Sequence, residues 1–335
     1  MNRRIRGAAI GFLTAAAALV GADRHVLAEG AEQSCTVRGK ATMPSTLSIY
    51  DKDQEGKVIA RFTGAPTALV ASSFPASAAR RTAVETGTGS GSFRIKGFVD
   101  GRELPIYTAN TVPVVANHVW IGTHQLVTIA GSSGGRLKVS RSASKPLKGN
   151  FTGTAACNAF TLTPGVAPGW NVPGNARGYV VKQSSIELFD AANGAAIQTL
   201  SRSPDGGGIL LWSMEQRGGW VSVEYHDDIV IEAWARAADL SGLPPGETMD
   251  QQRAPITQRG MPRLAVQESI RTVTTRQEIP IRTEPKDSAR VIGRIEPDTE
   301  TMVMDIVAGW ASVLPKSLHV APAPDEQFWV PSKQL

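Results

Sequence analysis

The stretch Leu47-Ser-Ile-Tyr-Asp51 returns three more times along this chain of 335 residues. It recurs as Leu104-Pro-Ile-Tyr-Thr108, as Ile186-Glu-Leu-Phe-Asp190 and as Ile279-Pro-Ile-Arg-Thr283. Each copy is followed, further along, by a closing stretch that begins with an aromatic residue, at residues 98–104, 151–162, 234–240 and 329–335. Self-similarity at a roughly constant period indicates one small unit copied in series.

Strand signals dominate the chain around these stretches. Thr, Val, Ile and aromatic residues alternate with polar ones, Gly, Pro, Asp and Ser supply the breaks, and helical periodicity is nearly absent. Five short strands in about 60 residues can close a small barrel, which removes exposed sheet edges. The pattern therefore predicts an all-β chain of about four small β-barrels in tandem.

The repeats divide the chain into four units. Unit one is predicted over 35–104, unit two over 104–163, unit three over 178–240 and unit four over 269–335. Linkers rich in Pro and Gly or in polar residues separate the later units, at 164–177 and 241–268, and such stretches are extended and semi-rigid. No spacer separates units one and two, since Leu104 closes one and opens the next.

The N-terminus has the pattern of a secretory signal peptide. Arg3, Arg4 and Arg6 precede an apolar run over residues 8–22, and a small-residue cleavage pattern ends at Ala28. A cut after Ala28 removes residues 1–28 and predicts a periplasmic or secreted protein. No later run approaches the roughly 18 apolar residues that a membrane helix needs, so no membrane span is expected after signal removal.

The charge of the chain argues against nucleic-acid binding. The net charge is +5, and removal of the signal peptide, with four arginines and one aspartate, leaves +2. The remaining Lys and Arg residues are scattered rather than clustered. We therefore expect no nucleic-acid partner.

Two cysteines occur, Cys35 and Cys157, and in an exported chain an even pair indicates a disulfide. Cys35 begins unit one and Cys157 lies in the closing part of unit two, so the bridge would hold these two units together as a rigid pair. Units three and four would then be mobile beads, or would dock on the pair because a 60-residue barrel is marginal alone, burying only about 60% of its unfolded surface. The alternative is two unpaired buried thiols.

Unit four carries a family resemblance. Its phrases are Ile279-Pro-Ile-Arg-Thr-Glu-Pro285, Val291-Ile-Gly-Arg-Ile-Glu-Pro-Asp-Thr-Glu300, Gly309-Trp-Ala-Ser-Val313 and Trp329-Val-Pro-Ser332. Together they resemble the bacterial SH3 (SH3b) domain, and unit three is similar through Gly219-Trp-Val-Ser-Val223. Units one and two diverge, with Ser92-Phe-Arg-Ile95 and Arg136-Leu-Lys-Val139 in place of the glycine-tryptophan strand. The resemblance implies an SH3-like barrel for each unit.

Catalytic motifs are weak in this chain. Residues 131–135, Gly-Ser-Ser-Gly-Gly, match the consensus of a nucleophile elbow. They are expected in a turn between two strands, whereas the mechanism requires a strand followed by a helix. Residues 51–56 begin like a calcium loop, but Phe62 stands where a bidentate Glu is needed. His118 and His124 have no third ligand at a recognised spacing. The sequence predicts a protein that is not an enzyme, with no metal and no cofactor.

The remaining candidates for function are the side chains that follow each opening Leu-x-Ile-like phrase, namely Tyr50, Tyr107, Phe189 and Arg282. Strand alternation places each on the face opposite the core Ile or Leu beside it. Next to the long loop that follows, such a side chain would form the floor of a groove for an extended peptide. The resemblance implies the same, because SH3b domains hold short peptides, including peptidoglycan stem peptides. The alternative is that these rings pack against a neighbouring unit.

Two hypotheses of function follow. The first is an exported binding protein that recognises cell-wall peptide or an envelope protein. The second is a structural scaffold subunit of an envelope assembly, with the aromatics buried between units. Solvent exposure of Tyr50, Tyr107 and Phe189 separates the two. The tryptophans Trp220, Trp234, Trp310 and Trp329 are expected in the barrel core or at its rim.

Overall fold

The strand signals of the sequence are confirmed: the computed structural model is all-β, with curled antiparallel sheets. It describes residues 35–75, 80–87, 89, 91–243 and 269–335. Over these residues the chain forms strands and short 3-10 helices and no α-helix. Burial alternates along many strands, as in Asn150–Ala156, where every second side chain is buried. The predicted signal peptide, residues 1–28, and residues 244–268 of the predicted second linker lie outside the described residues.

Unit one contains six strands and ends in a 3-10 helix at Gly101–Glu103. The strands are β1 (Thr36–Thr42), β2 (Ser48–Tyr50), β3 (Val58–Phe62), β4 (Pro66–Ser72), β5 (Thr82–Thr86) and β6 (Phe93–Val99). Along the ladder the order is β1, β4, β5, β6, β2, β3, with all neighbours antiparallel.

Unit two has a 3-10 helix at Cys157–Ala159. Its strands are β7 (Ile106–Thr108), β8 (Val112–Val115), β9 (Val119–Ile121), β10 (Leu126–Ser133), β11 (Arg136–Ser142), β12 (Leu147–Lys148), β13 (Asn150–Ala156) and β14 (Phe160–Thr161). β12 is inserted between β11 and β13, and β14 pairs back onto β7.

Unit three has a 3-10 helix at Ala237–Asp239. Its strands are β15 (Arg177–Val181), β16 (Ser185–Phe189), β17 (Ala196–Arg202), β18 (Leu210–Arg217), β19 (Trp220–His226), β20 (Ile229–Arg236) and β21 (Leu240–Gly242). Its ladder repeats the order of unit one, as β15, β18, β19, β20, β16, β17.

Unit four has a 3-10 helix at Ser332–Gln334. Its strands are β22 (Arg271–Thr274), β23 (Ile279–Arg282), β24 (Val291–Ile295), β25 (Glu300–Val307), β26 (Trp310–Pro315), β27 (Val320–Pro322) and β28 (Trp329–Pro331). The ladder again has the same order, as β22, β25, β26, β28, β23, β24. The sequence repeat thus corresponds to one strand order in units one, three and four, and in unit two to the first part of that order, β7, β10, β11, β13.

Units one and four share one sheet. β24 of unit four lies antiparallel to β6 of unit one, with Gly293 opposite Ile95 and Ile295 opposite Phe93. The inserted strand β27 pairs with β3. The buried rings of Phe93 and Phe328 pack between the two units with centroids 5.7 Å apart.

Units two and three are joined in the same way. β9 of unit two lies antiparallel to β20 of unit three, with Val119 opposite Ile231 and Ile121 opposite Ile229. The inserted strand β12 pairs with β17. Backbone ladders therefore dock unit three on unit two and unit four on unit one. The structure shows docking, which was the alternative to two mobile beads.

The predicted disulfide between Cys35 and Cys157 is confirmed, with Cα atoms 5.4 Å apart across 122 residues of sequence. Backbone contacts reinforce it, because Leu162 N donates to Arg38 O at 3.1 Å. The buried apolar residues of all four units join one continuous core. No helix in the described parts of the chain is long and apolar enough to cross a membrane.

Candidate functional site

Three of the four candidate side chains occupy one equivalent position. Tyr50, Phe189 and Arg282 each follow a register shift in the second strand of their unit. Each then lies opposite the aromatic residue of the closing strand: Tyr50 opposite Phe98, Phe189 opposite Trp234 and Arg282 opposite Trp329. The opening and closing stretches recognised in the sequence are therefore neighbours in the sheet.

Tyr107 does not share this position. It lies on β7, the first strand of unit two, opposite Leu126 and Thr161. The second strand of unit two is β8, whose register against β9 shifts between Pro113 and Val115. Tyr107 is half-buried, and burial raises the pKa of its hydroxyl. The residues around Tyr107 alternate as those around Tyr50 do, but they form the first strand of their unit and not the second.

Tyr50 borders a groove of about 450 Å³, which we call the Tyr50 groove. The loop that follows β2 supplies Asp53, Gln54 and Glu55 to its wall. Tyr50 is half-buried, and the guanidinium carbon of Arg81 lies 3.5 Å from the centre of its ring. This distance is that of a cation–π contact. A ligand entering the groove would therefore meet a stacked pair rather than a bare ring.

Arg81 is held in place by the same loop. Its Nη1 donates to Lys52 O at 3.1 Å, and its backbone N donates to Asp53 O at 3.1 Å. Sequence reasoning missed Arg81, because it placed Phe93 where units three and four have their central tryptophan. In the structure, Arg81 precedes Ala83, the partner of Phe98, by two residues, as Trp220 precedes Ser222, the partner of Trp234. Arg81 is therefore identified by the strand register, as the residue two positions before the partner of the closing-strand aromatic.

The lining of the Tyr50 groove carries both signs of charge. Its charged residues are Arg80, Arg81, Arg102, Asp53, Glu55, Asp100 and Glu103. Arg102 donates to Asp100 from Nη2 at 2.6 Å and from Nε at 3.0 Å, and this hydrogen bonding holds the pKa of Asp100 below its usual value. Arg80 and Asp53 are 3.9 Å apart and both exposed. Such a mixed lining can bind a peptide that bears ammonium and carboxylate groups together, and it does not favour a purely anionic ligand.

Unit three fills the equivalent place with aromatic rings. Phe189 is 5% exposed and meets Trp220 edge to face, with centroids 4.9 Å apart. Arg236 lies over the Phe189 ring at 4.7 Å, and Trp220 Nε1 donates to Asn193 Oδ1 at 2.9 Å. Phe189 is thus buried by neighbours of its own unit, while Trp220 and Trp234 are half-buried.

Unit four has a third version of the site. Arg282 is half-buried and donates from Nη1 to Ala289 O at 2.6 Å. Trp310 and Trp329 are half-buried, as in unit three. The four predicted tryptophans therefore lie at intermediate depth rather than in the fully buried core.

The motifs that resemble a nucleophile elbow and a calcium loop lie at strand ends and in the turns that follow them. Ser133 ends β10 and pairs with Arg136 across the hairpin, so a strand and not a helix follows it. Asp51, at the start of the calcium-like loop, accepts from Arg290 Nη1 at 2.6 Å. In the described part of the chain, no group of three or more His, Cys, Asp or Glu residues is arranged to hold a metal ion. His226 stacks on Trp170 with ring centroids 4.1 Å apart.

Comparison with known proteins identifies no relative. No protein-family model, no curated protein and no solved structure matches this chain. The assignment of function therefore depends on the groove, the repeats and the resemblance of the motifs.

Proposed function

We propose that this chain is an exported, non-catalytic binding protein of tandem SH3b-like units that holds an extended peptide, from the cell wall or from an envelope protein, in the Tyr50 groove. The observation that carries the proposal is the Tyr50–Arg81 stack beside the loop that follows β2, in a groove of about 450 Å³. Ligand sites commonly combine such an aromatic surface with a few oriented polar groups.

The mixed charge of the groove supports the choice of ligand. Arg102 and Asp100 are paired, whereas Arg80 and Asp53 are exposed and only 3.9 Å apart. Exposed pairs of this kind contribute little to stability, about 0–1 kcal/mol, so they can exchange partners with a ligand at small cost. A stem peptide, which carries amino and carboxyl groups along a short extended backbone, has the matching charges.

Co-sedimentation with purified peptidoglycan sacculi tests this proposal. We expect the wild-type chain to sediment with sacculi and the Tyr50→Ala and Arg81→Ala variants to be retained about tenfold less, because each variant removes an aromatic or cationic contact with the ligand that contributes roughly 1–2 kcal/mol at a partly desolvated site. Tyr107→Ala is the matched control, since it removes an equal ring outside the groove. Equal retention of all four proteins would refute a role for the groove.

A protein ligand is tested on the same residues. A photo-crosslinking amino acid at Ser48, which lines the groove, would capture an envelope protein, whereas the same group at Tyr107 would not. Failure of both the sacculi and the crosslinking experiments would reject the binding function.

A scaffold role is the second candidate, and the ladders between units favour it. Two units are joined by β6 with β24, and the other two by β9 with β20. The solvent exposure of the candidate rings does not choose between the two functions. Tyr50 and Tyr107 are half-buried, while Phe189 is buried inside its own unit. A scaffold would be supported if the Tyr50→Ala variant lost assembly into a larger envelope complex, measured by size-exclusion chromatography, while sacculi binding was absent in the wild type.

A further inference from the structure

The first strand of each unit has an outer edge, on the side away from its fourth strand. In units two and three this edge is covered by the segment that follows the 3-10 helix. Phe160–Thr161 pairs with β7, and Leu240–Gly242 pairs with β15. In unit one the edge of β1 is covered by a segment from unit two, residues 161–163. A unit can therefore accept this segment from elsewhere in the molecule.

The covering segments use one equivalent backbone group. Leu162 N donates to Arg38 O at 3.1 Å in unit one, and Leu243 N donates to Gly178 O at 2.9 Å in unit three. Arg38 lies opposite Val70, and Gly178 lies opposite Trp212. Val70 and Trp212 in turn lie opposite Glu85 and Glu224 of the fifth strands. The two acceptors therefore hold the same place in the ladder.

In unit four the equivalent residue is Thr272. It lies opposite Met302, which lies opposite Leu314 of the fifth strand. Thr275 N donates to Thr299 O at 3.1 Å, so by strand alternation the backbone groups of Thr272 and Thr274 point away from β25. Among the described residues, β22 is paired only with β25. Within the described residues, the outward N–H and C=O groups of Thr272 and Thr274 thus have no strand partner.

The same end of unit four exposes apolar side chains. Ile270, beside β22, is 63% exposed, and Ile306 and Val307, at the tip of β25, are each 46% exposed. The residues at the places of Ile306 and Val307 are polar in two other units: Gln216 and Arg217 in unit three, Ser132 and Ser133 in unit two. Units two and three, whose first-strand edges are covered, therefore lack this apolar tip.

We propose that the outer edge of β22 binds an extended segment of a partner protein by strand addition, with a Leu or Phe side chain packed against Ile270, Ile306 and Val307. The chemistry of the occupant is taken from the segments that cover the equivalent edges, each of which contains a large apolar residue, Phe160, Leu162 or Leu240, followed by Ser or Thr. Main-chain hydrogen bonds supply affinity in this mode, and side-chain pockets supply specificity. This site is separate from the Tyr50 groove.

The probe for this site is a fluorescein-labelled peptide with the sequence of residues 159–164, Ala-Phe-Thr-Leu-Thr-Pro. Fluorescence anisotropy with the purified chain should show saturable binding. Thr272→Pro should weaken it about tenfold, because proline removes an outward N–H and is tolerated on an edge strand. Thr272→Ala is the matched control, since it keeps the N–H, and should bind within about twofold of wild type.

Two further variants locate the contact. Ile306→Gln combined with Val307→Arg gives the tip the residues of unit three and should also weaken binding, whereas Tyr50→Ala should leave it unchanged. The inference is overturned if the wild type shows no saturable binding, if Thr272→Pro binds as well as Thr272→Ala, or if Tyr50→Ala abolishes binding. It is also overturned in this form if the purified chain dimerises through β22, since the occupant would then be a second copy.

Discussion

The ladder between units one and four depends on a glycine. A Cβ atom placed on Gly293 would lie 2.0 Å from Arg94 O and 3.1 Å from the Cα of Ile95. Both are backbone atoms of β6, so no side-chain rotation can relieve the overlap. Gly293→Ala should therefore push β24 away from β6 and open the contact between the two units.

The expected size of the effect follows from the ladder itself. Three residue pairs join β24 to β6. If each contributes about 1 kcal/mol net through its hydrogen bonding, the variant loses about 3 kcal/mol of unfolding free energy. The ion pair between Arg94 and Glu296 also crosses this interface, at 3.1 Å and with both side chains largely buried, so its disruption would add to the loss.

Urea unfolding followed by tryptophan fluorescence measures this loss. Gly207→Ala is the matched control, since nothing lies within 4 Å of a Cβ there. That control should change stability by less than about 1 kcal/mol, and in the stabilising direction. Hydrogen exchange should show faster exchange in β6 and β24 of Gly293→Ala alone. If Gly293→Ala and Gly207→Ala unfold at the same urea concentration, the strand-to-strand account of the interface is wrong.

Two other predictions concern the disulfide and a buried histidine. Replacement of both Cys35 and Cys157 by Ala should lower the unfolding free energy by about 5 kcal/mol, from a loop of 122 residues in the chain-entropy model, and calorimetry that finds less than about 1 kcal/mol would contradict it. His319 lies between units one and four, where its Nε2 donates to Phe93 O at 3.1 Å and its Nδ1 accepts from Ser317 Oγ at 2.6 Å. Burial lowers the pKa of His319, so the unfolded chain binds the proton more readily, and stability should decline as the pH falls below about 6.5. A His319→Gln variant should show a flatter pH dependence in thermal unfolding, and an unchanged slope would count against this role.

Local pattern was enough to predict several features of the fold. The alternation of apolar and polar residues identified strands, and the repeat of opening and closing stretches singled out residues such as Phe189 and Trp234, which the structure places opposite each other. The cysteine pair was also predictable, because two cysteines allow only one intramolecular bridge. Each of these inferences needs only the period of a strand or a count of residues.

Other features were beyond the reach of pattern. Tyr107 has the same alternation as Tyr50 but lies on a first strand, because a period of two states which face a residue occupies and not which strand it pairs with. Arg81 was not predicted from the sequence as a site residue. Its guanidinium stands where unit three has the indole of a tryptophan, and the two residue types share no sequence pattern.

The sequence by itself determined the all-β class, the four-fold repeat and the cysteine pair of this protein, since strand alternation, repetition and residue counts are properties of neighbours along the chain. Only the tertiary structure decided that unit four docks on unit one and unit three on unit two, that Arg81 covers the ring of Tyr50, and that the edge of β22 has no described partner. The physical reason is that backbone hydrogen bonds are identical for every residue type. Which two edges meet is therefore set by the packing of the whole molecule and not by any local stretch.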